Sequence, residues 1–497
     1  MICNVYFTLR IAQVGEVMVI RKILIIFVLF YTCLGCSMLS HSISKPQEKR
    51  NVIASTAGTH PGRNGPLTPL EMNMAKVAWR YFENNYQPNT GFVNSVDGYP
   101  STTMWDTASY LAGLVAAYEL GLIDKYQFDK RMHSILETFN KIDFFRGELP
   151  NKCYNTQTAT KVNYANQPGE IGFSALDLGR LLIWLKIIKE RYPEFANAID
   201  HFVMRWNFCH ILDKYGTMYG AILDKKTGQV KYVQEGRLGY EEYAAKGFQL
   251  WGFDTTRASM PEPYNFIPIY GVDVPYDARD PRKTEAHNYV VSESYILDGI
   301  ELNWDTGYDH SSEDTTHTDK IIANFAQRIY KVQEKRYLVT GILTARTEHQ
   351  LDGPPYFVYD TIYTDGYPWN TIAETGEYLP QFASVVPKAA IGLWVIWKTP
   401  YTDILFRAVS HLYDPDKGFY EGYYENNGGL IKTFTANNNG IILEELLYKV
   451  QGKLLKFSGR KSLWDKVNRN PFIGKEKCFP LFQKSCCPSS SPNWLQE

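Results

Sequence analysis

The stretch GYPSTTMWDTASYLAGL, Gly98 to Leu114, joins an aromatic, turn-rich loop to an apolar helix. Thr103 and Asp106 have the spacing of a capping box, in which side chains satisfy the free backbone N–H groups of a helix start. An acidic residue in the first turn also complements the helix dipole. Asp106 is therefore predicted mainly to start the helix. Because the aromatic residue Trp105 lies next to it, Asp106 is also a candidate for a catalytic carboxylate in a cleft.

Apolar stripes with helical spacing recur through the chain. Ser174 and Asp177 repeat the capping spacing, and Thr68-Pro69-Leu70-Glu71 opens the folded part with a Thr cap and a first-turn proline. We expect about ten helices, paired where the connections are short. The predicted helical segments are Met74–Phe82, Leu111–Tyr118, Phe128–Phe139, Leu178–Ile188, Phe195–Trp206, Tyr243–Trp251, Ile321–Val332, Phe382–Trp397, Tyr401–Leu412 and Leu443–Val450.

The connections between these segments are of two kinds. Short ones such as GLIDKY end the first helix of a pair, and long ones lead into it. In a closed ring of helical hairpins, the long connections lie together at one end. The pattern predicts an all-α fold, an α/α toroid of five or six hairpins with one cleft. The long loops are rich in Gly, Tyr, Trp, Asn and carboxylates, and span residues 90–106, 163–177, 234–245, 363–380 and 421–440.

One region departs from the helical pattern. Between Gly252 and Asp309, the stretches YNFIPIYGVDVPY and YVVSESYILDGIELNW have a more extended character, and Asp298-Gly299 is a candidate turn. We therefore expect a small insertion with some strand character.

The composition is that of a folded protein without nucleic-acid affinity. It is 44% hydrophobic and 21% charged with a formal net charge of -1, and the sequence contains no nucleic-acid module. The 35 Tyr and 11 Trp favour ligands that stack on aromatic rings. There is no P-loop, Rossmann, HExxH or GxSxG motif and no zinc spacing, so no cofactor or metal is predicted. Calcium bound by loop carboxylates stays open.

The N-terminus has the pattern of an export signal. Arg21 and Lys22 precede an apolar run that ends at Leu34-Gly35-Cys36, and this segment resembles a bacterial lipoprotein signal with Cys36 as the lipidated residue. A cleaved soluble form and an uncleaved anchor are the alternatives. All three predict a periplasmic or cell-envelope location. We divide the chain into a signal at 1–36, a flexible tether at 37–66, the domain at 67–470 and a loose tail at 471–497. Disulfides are compatible with export, but their pairing is not readable from the sequence.

Several motifs, taken in order, also resemble a known family. They are TGFVNSVDGYPSTTMWDTASYLAGL, GELPNK, IGFSALDLGRLL, GYEEYAAKGF, PKAAIGLW and EGYYE with TANNNGIILEELLY. Together they resemble a bacterial domain family of unknown function that is related to glycoamylase-like (α/α)6-toroid carbohydrate enzymes. The resemblance covers Thr68 to Gly452. It implies an (α/α)6 toroid, a carbohydrate ligand and, if the protein is an enzyme, an inverting mechanism.

Hydrolysis of a glycosidic bond usually needs two carboxyl groups on opposite sides of the bond. Glu241 is the predicted acid, because the apolar residues after Tyr240-Glu241-Glu242 would raise a carboxyl pKa by desolvation. Glu421 is the preferred base, and Asp365 is the alternative. Each of these also has a plainer interpretation as a helix-start or turn residue. Weaker candidates are Glu170 and Glu374.

Aromatic and polar loop residues are the candidates for sugar binding. Rings stack on the CH face of a sugar, and amides and amines bind its hydroxyl groups. Each ring could equally be packed in the core, Lys388 could be solvated, and Asn437 could be part of a helix cap. The predicted binding residues are Trp105, Tyr240, Trp369, Lys388, Tyr420 and Asn437.

These observations favour an exported glycoside hydrolase-like protein that acts on an envelope or extracellular glucan-type polysaccharide. A non-catalytic carbohydrate-binding or scaffolding lipoprotein is the main alternative. A polysaccharide lyase on the same fold is the third hypothesis, although a lyase needs cations to neutralise uronates and this chain has little basic character.

Overall fold

The computed structural model describes residues 62–235, 238–261, 263–284, 287–311 and 314–485. The predicted signal, Cys36 and most of the predicted tether lie outside the described residues. Within them, the α-helices are α1 Pro69–Asn84, α2 Met104–Glu119, α3 Lys125–Phe139, α4 Ala175–Arg191, α5 Ala196–Met204, α6 Tyr240–Gln249, α7 Pro281–Thr284, α8 Glu293–Leu302, α9 Lys320–Thr340, α10 Pro387–Ile396, α11 Pro400–Val409, α12 Ala436–Gln451 and α13 Leu463–Val467.

Six helices contact one another in cyclic order. The order is α2, α4, α6, α8, α10 and α12, and α12 packs again on α2. These inner helices are apolar on most sides, as expected for helices surrounded by protein. Outer helices pack against them: α1 on α12 and α2, α3 on α2, α5 on α4, α9 on α8 and α11 on α10. The cyclic order follows from the hairpin pattern that the sequence predicted.

The helix starts are formed by the predicted caps. The Thr68 amide donates to Glu71 Oε2 at 2.8 Å, and the Glu71 amide returns a bond to the Thr68 hydroxyl at 3.3 Å. The Thr103 side chain accepts from the Asp106 amide at 3.0 Å, and the Ser174 side chain from the Asp177 amide at 3.2 Å. Capping therefore fixes where α1, α2 and α4 begin.

The long loops pair into short antiparallel strands. The longest pair is the hairpin β7–β8, whose register runs from Tyr264 opposite Asp277 to Ile269 opposite Val272. The strands are β1 Ser101–Thr103, β2 Cys153–Asn155, β3 Lys161–Val162, β4 Gly172–Phe173, β5 Gly220–Leu223, β6 Val230–Val233, β7 Tyr264–Ile269, β8 Val272–Asp277, β9 Glu348–Gln350, β10 Phe357–Asp360, β11 Tyr363–Thr364, β12 Tyr367–Pro368, β13 Thr371–Ile372, β14 Ser384–Val385, β15 Tyr413–Asp414, β16 Gly418–Phe419, β17 Gly422–Tyr424 and β18 Leu430–Ile431.

The predicted strand insertion is correct only in its first half. Residues 264–277 form β7–β8, but the second stretch contains α8, and Asp298-Gly299 lies inside this helix and not in a turn. All ten residues of α8 are buried, so the helix lacks the polar face that makes a surface helix recognisable in a sequence. Helix α10 also begins at Pro387, later than predicted, because Ser384–Val385 pairs with β17.

The described ends of the chain are attached to the domain. At the N-terminal side, Arg63 donates to the Trp397 carbonyl at 2.8 Å and pairs with Asp403 at 2.6 Å. At the other end, Cys478 forms a disulfide with Cys209. Residues 471–485, which the sequence analysis assigned to a loose tail, are thus held to the domain by a covalent bond and by the burial of Phe479. Among the described residues, no helix combines the length and the apolar character that a membrane crossing requires.

Candidate active site

The first turns of the inner helices meet around Glu293. This residue begins α8, where a carboxylate complements the helix dipole. Its Oε1 accepts a hydrogen bond from Trp105 Nε1 of α2 at 3.0 Å and another from Asn437 Nδ2 of α12 at 3.1 Å. Its Oε2 is ion-paired with the ammonium of Lys388 from α10. The buried carboxylate of Glu293 on α8 is therefore bound by side chains from three other inner helices, α2, α10 and α12.

Lys388 is the positive centre of this cluster. Burial alone would lower its pKa, but the carboxylates of Glu293, Glu348 and Glu421 outweigh that effect, and its pKa is raised. The predicted binding residue is thus ion-paired with Glu293 and further stabilised by the charges of Glu348 and Glu421, which offsets the unfavourable position of a lysine at a helix N-terminus.

Glu348 has the properties of a proton donor. Burial and the nearby negative charge of Glu293 raise its pKa, although Lys388 and the hydrogen bond donated by the Tyr240 hydroxyl act in the opposite direction. Thr347 donates to its other oxygen at 2.8 Å. It is 8% exposed, whereas Glu293 is 2% exposed, so Glu348 is the more accessible of the two. A carboxyl group whose pKa is raised is better suited to act as a general acid.

Glu421 is the third carboxyl group at Lys388. Its Oε1 accepts from the Thr435 hydroxyl at 2.5 Å, and its Oε2 from the Gln350 amide at 3.1 Å. Burial raises its pKa, and Lys388 opposes this. Because Gln350 lies two residues after Glu348 in β9, this bond joins the strand that carries Glu348 to Glu421, which immediately precedes β17. The sequence predicted Glu421 as a site residue, and the structure places it in the cluster.

Asp106 takes part in the cap of α2, but the predicted capping box is only half formed: its amide donates to the Thr103 hydroxyl, while the Thr103 amide donates to the Ser95 hydroxyl at 3.3 Å. The Asp106 carboxylate accepts from the Ser95 hydroxyl at 2.6 Å and from the Thr103 hydroxyl at 2.7 Å. Burial raises its pKa, and these bonds and the charges of Arg180 and Lys388 oppose the shift. Its carboxyl group thus lies near the cluster while its backbone is part of the cap.

Two predicted catalytic residues have other partners. Glu241 accepts from Gln234 Nε2 at 2.7 Å and pairs with Arg279 at 3.1 Å. This cation favours the ionised form of Glu241, whereas a general acid must be protonated, and the role of Glu241 as the acid stays a prediction. Asp365 pairs with His287 Nδ1 at 2.5 Å. Of the weaker candidates, Glu170 pairs with Lys161 and Glu374 is exposed.

The predicted aromatic residues are also divided. Trp105 and Tyr240 are at the cluster, with their rings 5.6 Å apart. Tyr420 packs its ring on Phe434 at 4.8 Å, and its carbonyl accepts from Asn438 at 2.9 Å. Trp369 stacks near Tyr270 at 6.1 Å, with the Arg336 guanidinium 4.6 Å from its ring. Trp105 and Tyr240 donate hydrogen bonds directly to Glu293 and Glu348, whereas the rings of Tyr420 and Trp369 pack on other groups.

Arg180 of α4 contacts the residues that donate hydrogen bonds to Glu293. Its NH1 donates to Ser109 Oγ at 2.7 Å and to Asn437 Oδ1 at 3.1 Å, and its NH2 pairs with Glu444 at 3.1 Å. Its guanidinium also lies 4.7 Å from the centre of the Trp105 ring. One buried guanidinium therefore contacts both of the neutral groups that donate to Glu293.

Two central residues, Glu293 and Glu348, were missed by sequence reasoning. For Glu293 a signal was present: Ser292 precedes it, and Ile296, Leu297 and Ile300 follow with helical spacing. Glu348 is in a short strand, and its sequence context carries no comparable signal. Elsewhere in the described chain, a groove of about 530 Å³ lies between α3 and β3 and shares no residue with the cluster. The described residues contain no group of three or more His, Cys, Asp or Glu that could hold a metal ion.

Comparisons with known proteins agree with this architecture. The family described as protein of unknown function (DUF3131) matches residues 73–452, and the chain belongs to it. No curated protein sequence matches the chain. A candidate glucoamylase from Bacteroides caccae has a similar structure, with 13% identity, a TM-score of 0.56 and coverage of 84% of this chain and 98% of that one.

Two enzymes with bound sugars are also similar in structure. One is the endo-β-1,2-glucanase from Chitinophaga pinensis in complex with sophorotriose and glucose, with 11% identity, a TM-score of 0.54 and coverage of 84% of this chain and 97% of that one. The other is the endo-β-1,2-glucanase from Talaromyces funiculosus with sophorose, with 13% identity, a TM-score of 0.51 and coverage of 84% and 88%. At these identities the likeness establishes the fold alone.

Proposed function

We propose that this member of the DUF3131 family is a glycoside hydrolase that acts on a glucan-type polysaccharide, and that its ring of inner helices is an (α/α)6 toroid. The observation that carries the proposal is the cluster in which Lys388 is ion-paired with Glu293 of α8 and feels the charges of Glu348 from β9 and of Glu421 just before β17. Hydrolysis of a glycosidic bond needs a protonated and an ionised carboxyl group, and this cluster provides environments for both.

In this proposal Glu348 protonates the leaving glycosidic oxygen. Glu293, paired with Lys388, is the ionised carboxylate that activates water, and Glu421 is the alternative base. The toroid fold supports an inverting course, in which water attacks the face of the sugar opposite the leaving group. Carboxyl groups outnumber cations in the cluster, which favours an uncharged substrate and argues against a lyase that must bind uronates.

A β-linked glucan is the first substrate to test. The endo-β-1,2-glucanases from Chitinophaga pinensis and Talaromyces funiculosus share the fold and bind β-1,2-linked glucose oligomers. This supports β-1,2-glucan as one member of a substrate panel beside β-1,3-, β-1,4- and α-1,4-glucans.

We also propose that the protein is exported to the periplasm or cell envelope as a lipoprotein anchored through Cys36. The signal-like sequence at 18–36 supports this location. The disulfide between Cys209 and Cys478 adds support, because disulfides persist mainly in oxidising compartments.

The test is release of reducing ends from the glucan panel by the purified protein and by Glu348→Gln. We expect the substitution to lower kcat by about 10²–10⁴-fold, because a general acid contributes that much, while glucan binding persists. Glu377→Gln, at an exposed loop position, is the matched control and should retain activity.

Other outcomes would replace the proposal. Binding without release by the wild-type protein would favour the carbohydrate-binding or scaffolding lipoprotein. Release of unsaturated products from a uronate polymer would favour the lyase. Full activity in Glu348→Gln would be compatible with a hydrolase but would show that Glu348 is not its proton donor.

A further inference from the structure

The face of the β9–β10 pair that carries Glu348 also carries two aromatic rings. In this antiparallel pair Tyr359 is directly opposite Glu348, and Phe357 is opposite Gln350. Residues directly opposite each other point to the same side of the sheet, with Cβ atoms about 4.5–5.5 Å apart. Tyr359 is therefore the immediate cross-strand neighbour of the proposed acid.

This side of the strand pair is the one open to solvent. Phe357 and Tyr359 are partly exposed, and Glu348 is 8% exposed. The residues between them, Val358 and its opposite neighbour His349, point to the other side and are buried. A substrate that reaches Glu348 over the open side therefore also meets the ring of Tyr359.

A second tyrosine holds the ring of Tyr359 in place. Tyr289, from the segment before α8, stacks on Tyr359 with ring centres 4.3 Å apart and planes 14° from parallel. The next residue, Val290, fixes this segment: its amide donates to the Tyr363 carbonyl at 2.8 Å, and its carbonyl accepts from the Ile362 amide at 2.8 Å. The stacked pair is thus a rigid aromatic unit built from two distant parts of the chain.

Two more rings extend the pair into a row. At one end Tyr240 of α6 lies 6.0 Å from Tyr289 between ring centres, and its hydroxyl donates to Glu348. At the other end Phe357 lies 5.2 Å from Tyr359 with the ring planes nearly perpendicular. The row therefore begins at a hydrogen bond to the proposed acid and continues along β10.

A row of rings beside an acid is suited to a sugar chain. The CH groups of a hexopyranose pack on an aromatic face. Tyrosine offers this contact area at a low entropic cost because its side chain has only two rotatable angles, and the stack on Tyr289 already restricts them. The rings carry no charge and the nearby acids are Glu348 and Glu293, so an uncharged sugar unit is favoured over a uronate.

We propose that Tyr359, held by Tyr289, is the stacking platform of a sugar-binding subsite for the glucose unit next to the bond that Glu348 protonates. Phe357 extends this platform along β10 toward the following unit. This inference rests on the proposed function, and it gives the protein an oligomer of uncharged hexopyranose units as its ligand.

The first test is binding of glucose oligosaccharides with β-1,2, β-1,3, β-1,4 and α-1,4 linkages, measured by calorimetry on Glu348→Gln with and without Tyr359→Leu. Leucine keeps an apolar side chain beside Tyr289 but has no aromatic face. Kd for the oligosaccharide that binds should rise about tenfold, the scale of one aromatic stacking contact. Tyr359→Phe retains the ring and should keep the affinity. Thermal unfolding will establish that each variant is folded.

The matched control is Tyr126→Leu, at a 73% exposed tyrosine on the outer helix α3, which should leave Kd unchanged. Turnover provides a second readout. In the otherwise wild-type chain, Tyr359→Leu should lower kcat/KM on the cleaved glucan about tenfold, because the lost contact is also made in the transition state. Tyr359→Phe and Tyr126→Leu should retain the wild-type value.

Three results would overturn the subsite. They are an unchanged Kd and kcat/KM in folded Tyr359→Leu, an equal rise of Kd in Tyr359→Phe and Tyr359→Leu, and the absence of binding of all four oligosaccharides. If a glucan is cleaved and Tyr359→Leu changes nothing, the hydrolase stands without this subsite. If no glucan is cleaved but Tyr359→Leu still weakens binding, the subsite stands and the hydrolase proposal fails.

Discussion

Glu241 and Glu293 occupy equivalent places in two neighbouring inner helices and have different chemistry. Both are in a first turn, both are almost fully buried, and both are paired with a cation. The partner of Glu241 is Arg279, which also binds Asp277 at the end of β8. The partner of Glu293 is Lys388, on which the charges of Glu348 and Glu421 also act.

The difference shows that the position of a carboxylate in the first turn of a helix does not determine its chemistry; the charged groups around it do. Arg279 forms several hydrogen bonds to both Asp277 and Glu241 beside the β7–β8 hairpin, so each of these acids contacts the same guanidinium directly. Lys388 is ion-paired with Glu293, and its charge also acts on Glu348 and Glu421, whose pKa values burial keeps raised. Acids with a raised pKa beside an ion-paired carboxylate are what make proton transfer available at the second place.

The largest expected difference is in kcat, between the variants Glu293→Gln and Glu241→Gln. Loss of the Glu293 charge removes the ionised carboxylate and lets Lys388 lower the pKa of Glu348. We expect kcat on the cleaved glucan to fall by about 10²–10³-fold in Glu293→Gln. Glu241→Gln should retain a kcat near the wild-type value, and thermal unfolding will establish that both variants are folded. A greater loss of kcat in Glu241→Gln than in Glu293→Gln would indicate that Glu241 is the general acid.

A smaller effect is expected when the support of Glu293 is altered. Arg180→Lys keeps the positive charge but loses the planar fork that contacts Trp105 and Asn437. Because both groups donate to Glu293, kcat should fall by about tenfold, on the order of a single misplaced contact, while KM changes little. Arg279→Lys is the counterpart beside Glu241 and should have little effect on kcat. Equal losses in the two variants would mean that Arg180 only stabilises the fold.

The smallest effect concerns the pH dependence. The hydrogen bond from the Tyr240 hydroxyl lowers the pKa of Glu348, so Tyr240→Phe should raise that pKa further. A general acid acts in its protonated form, and activity is lost as pH rises through its pKa. The basic limb of the kcat/KM profile should therefore move to higher pH. Tyr243→Phe, one turn later with its hydroxyl on Glu301 at 2.5 Å, is the control and should leave this limb in place.

Local signals in the sequence predicted much of the fold. The caps at Thr68, Thr103 and Ser174 and the stripes after them give helices that the structure confirms. Helix α8 was missed because it is buried on all sides, so its sequence shows neither the polar face of a surface helix nor the alternation of a strand. The arrangement of the long loops at one end followed from their position before the inner helices.

The site was predicted only in part. Five of the predicted residues are in or beside the cluster: Trp105, Tyr240, Lys388, Glu421 and Asn437. They could be predicted because the loops and first turns that lead into the inner helices lie at the end of the ring where the cluster forms. Glu241 was predicted as the acid from its local surroundings, and Glu293 was not among the candidates. The pairing of Glu241 with Arg279 could not be seen, since Arg279 follows the β7–β8 hairpin and lies 38 positions later in the chain.

By itself, the sequence determined where most helices begin, which of their faces are apolar and which loops carry the chemistry, because those properties depend on neighbours within one or two turns. The tertiary structure alone decided which carboxyl groups share a cation. Glu293 receives its bonds from Trp105, Lys388 and Asn437, which are far apart in the chain. The pKa of a buried acid depends on charges within a few ångströms in space, and the closed ring of helices brings those charges together.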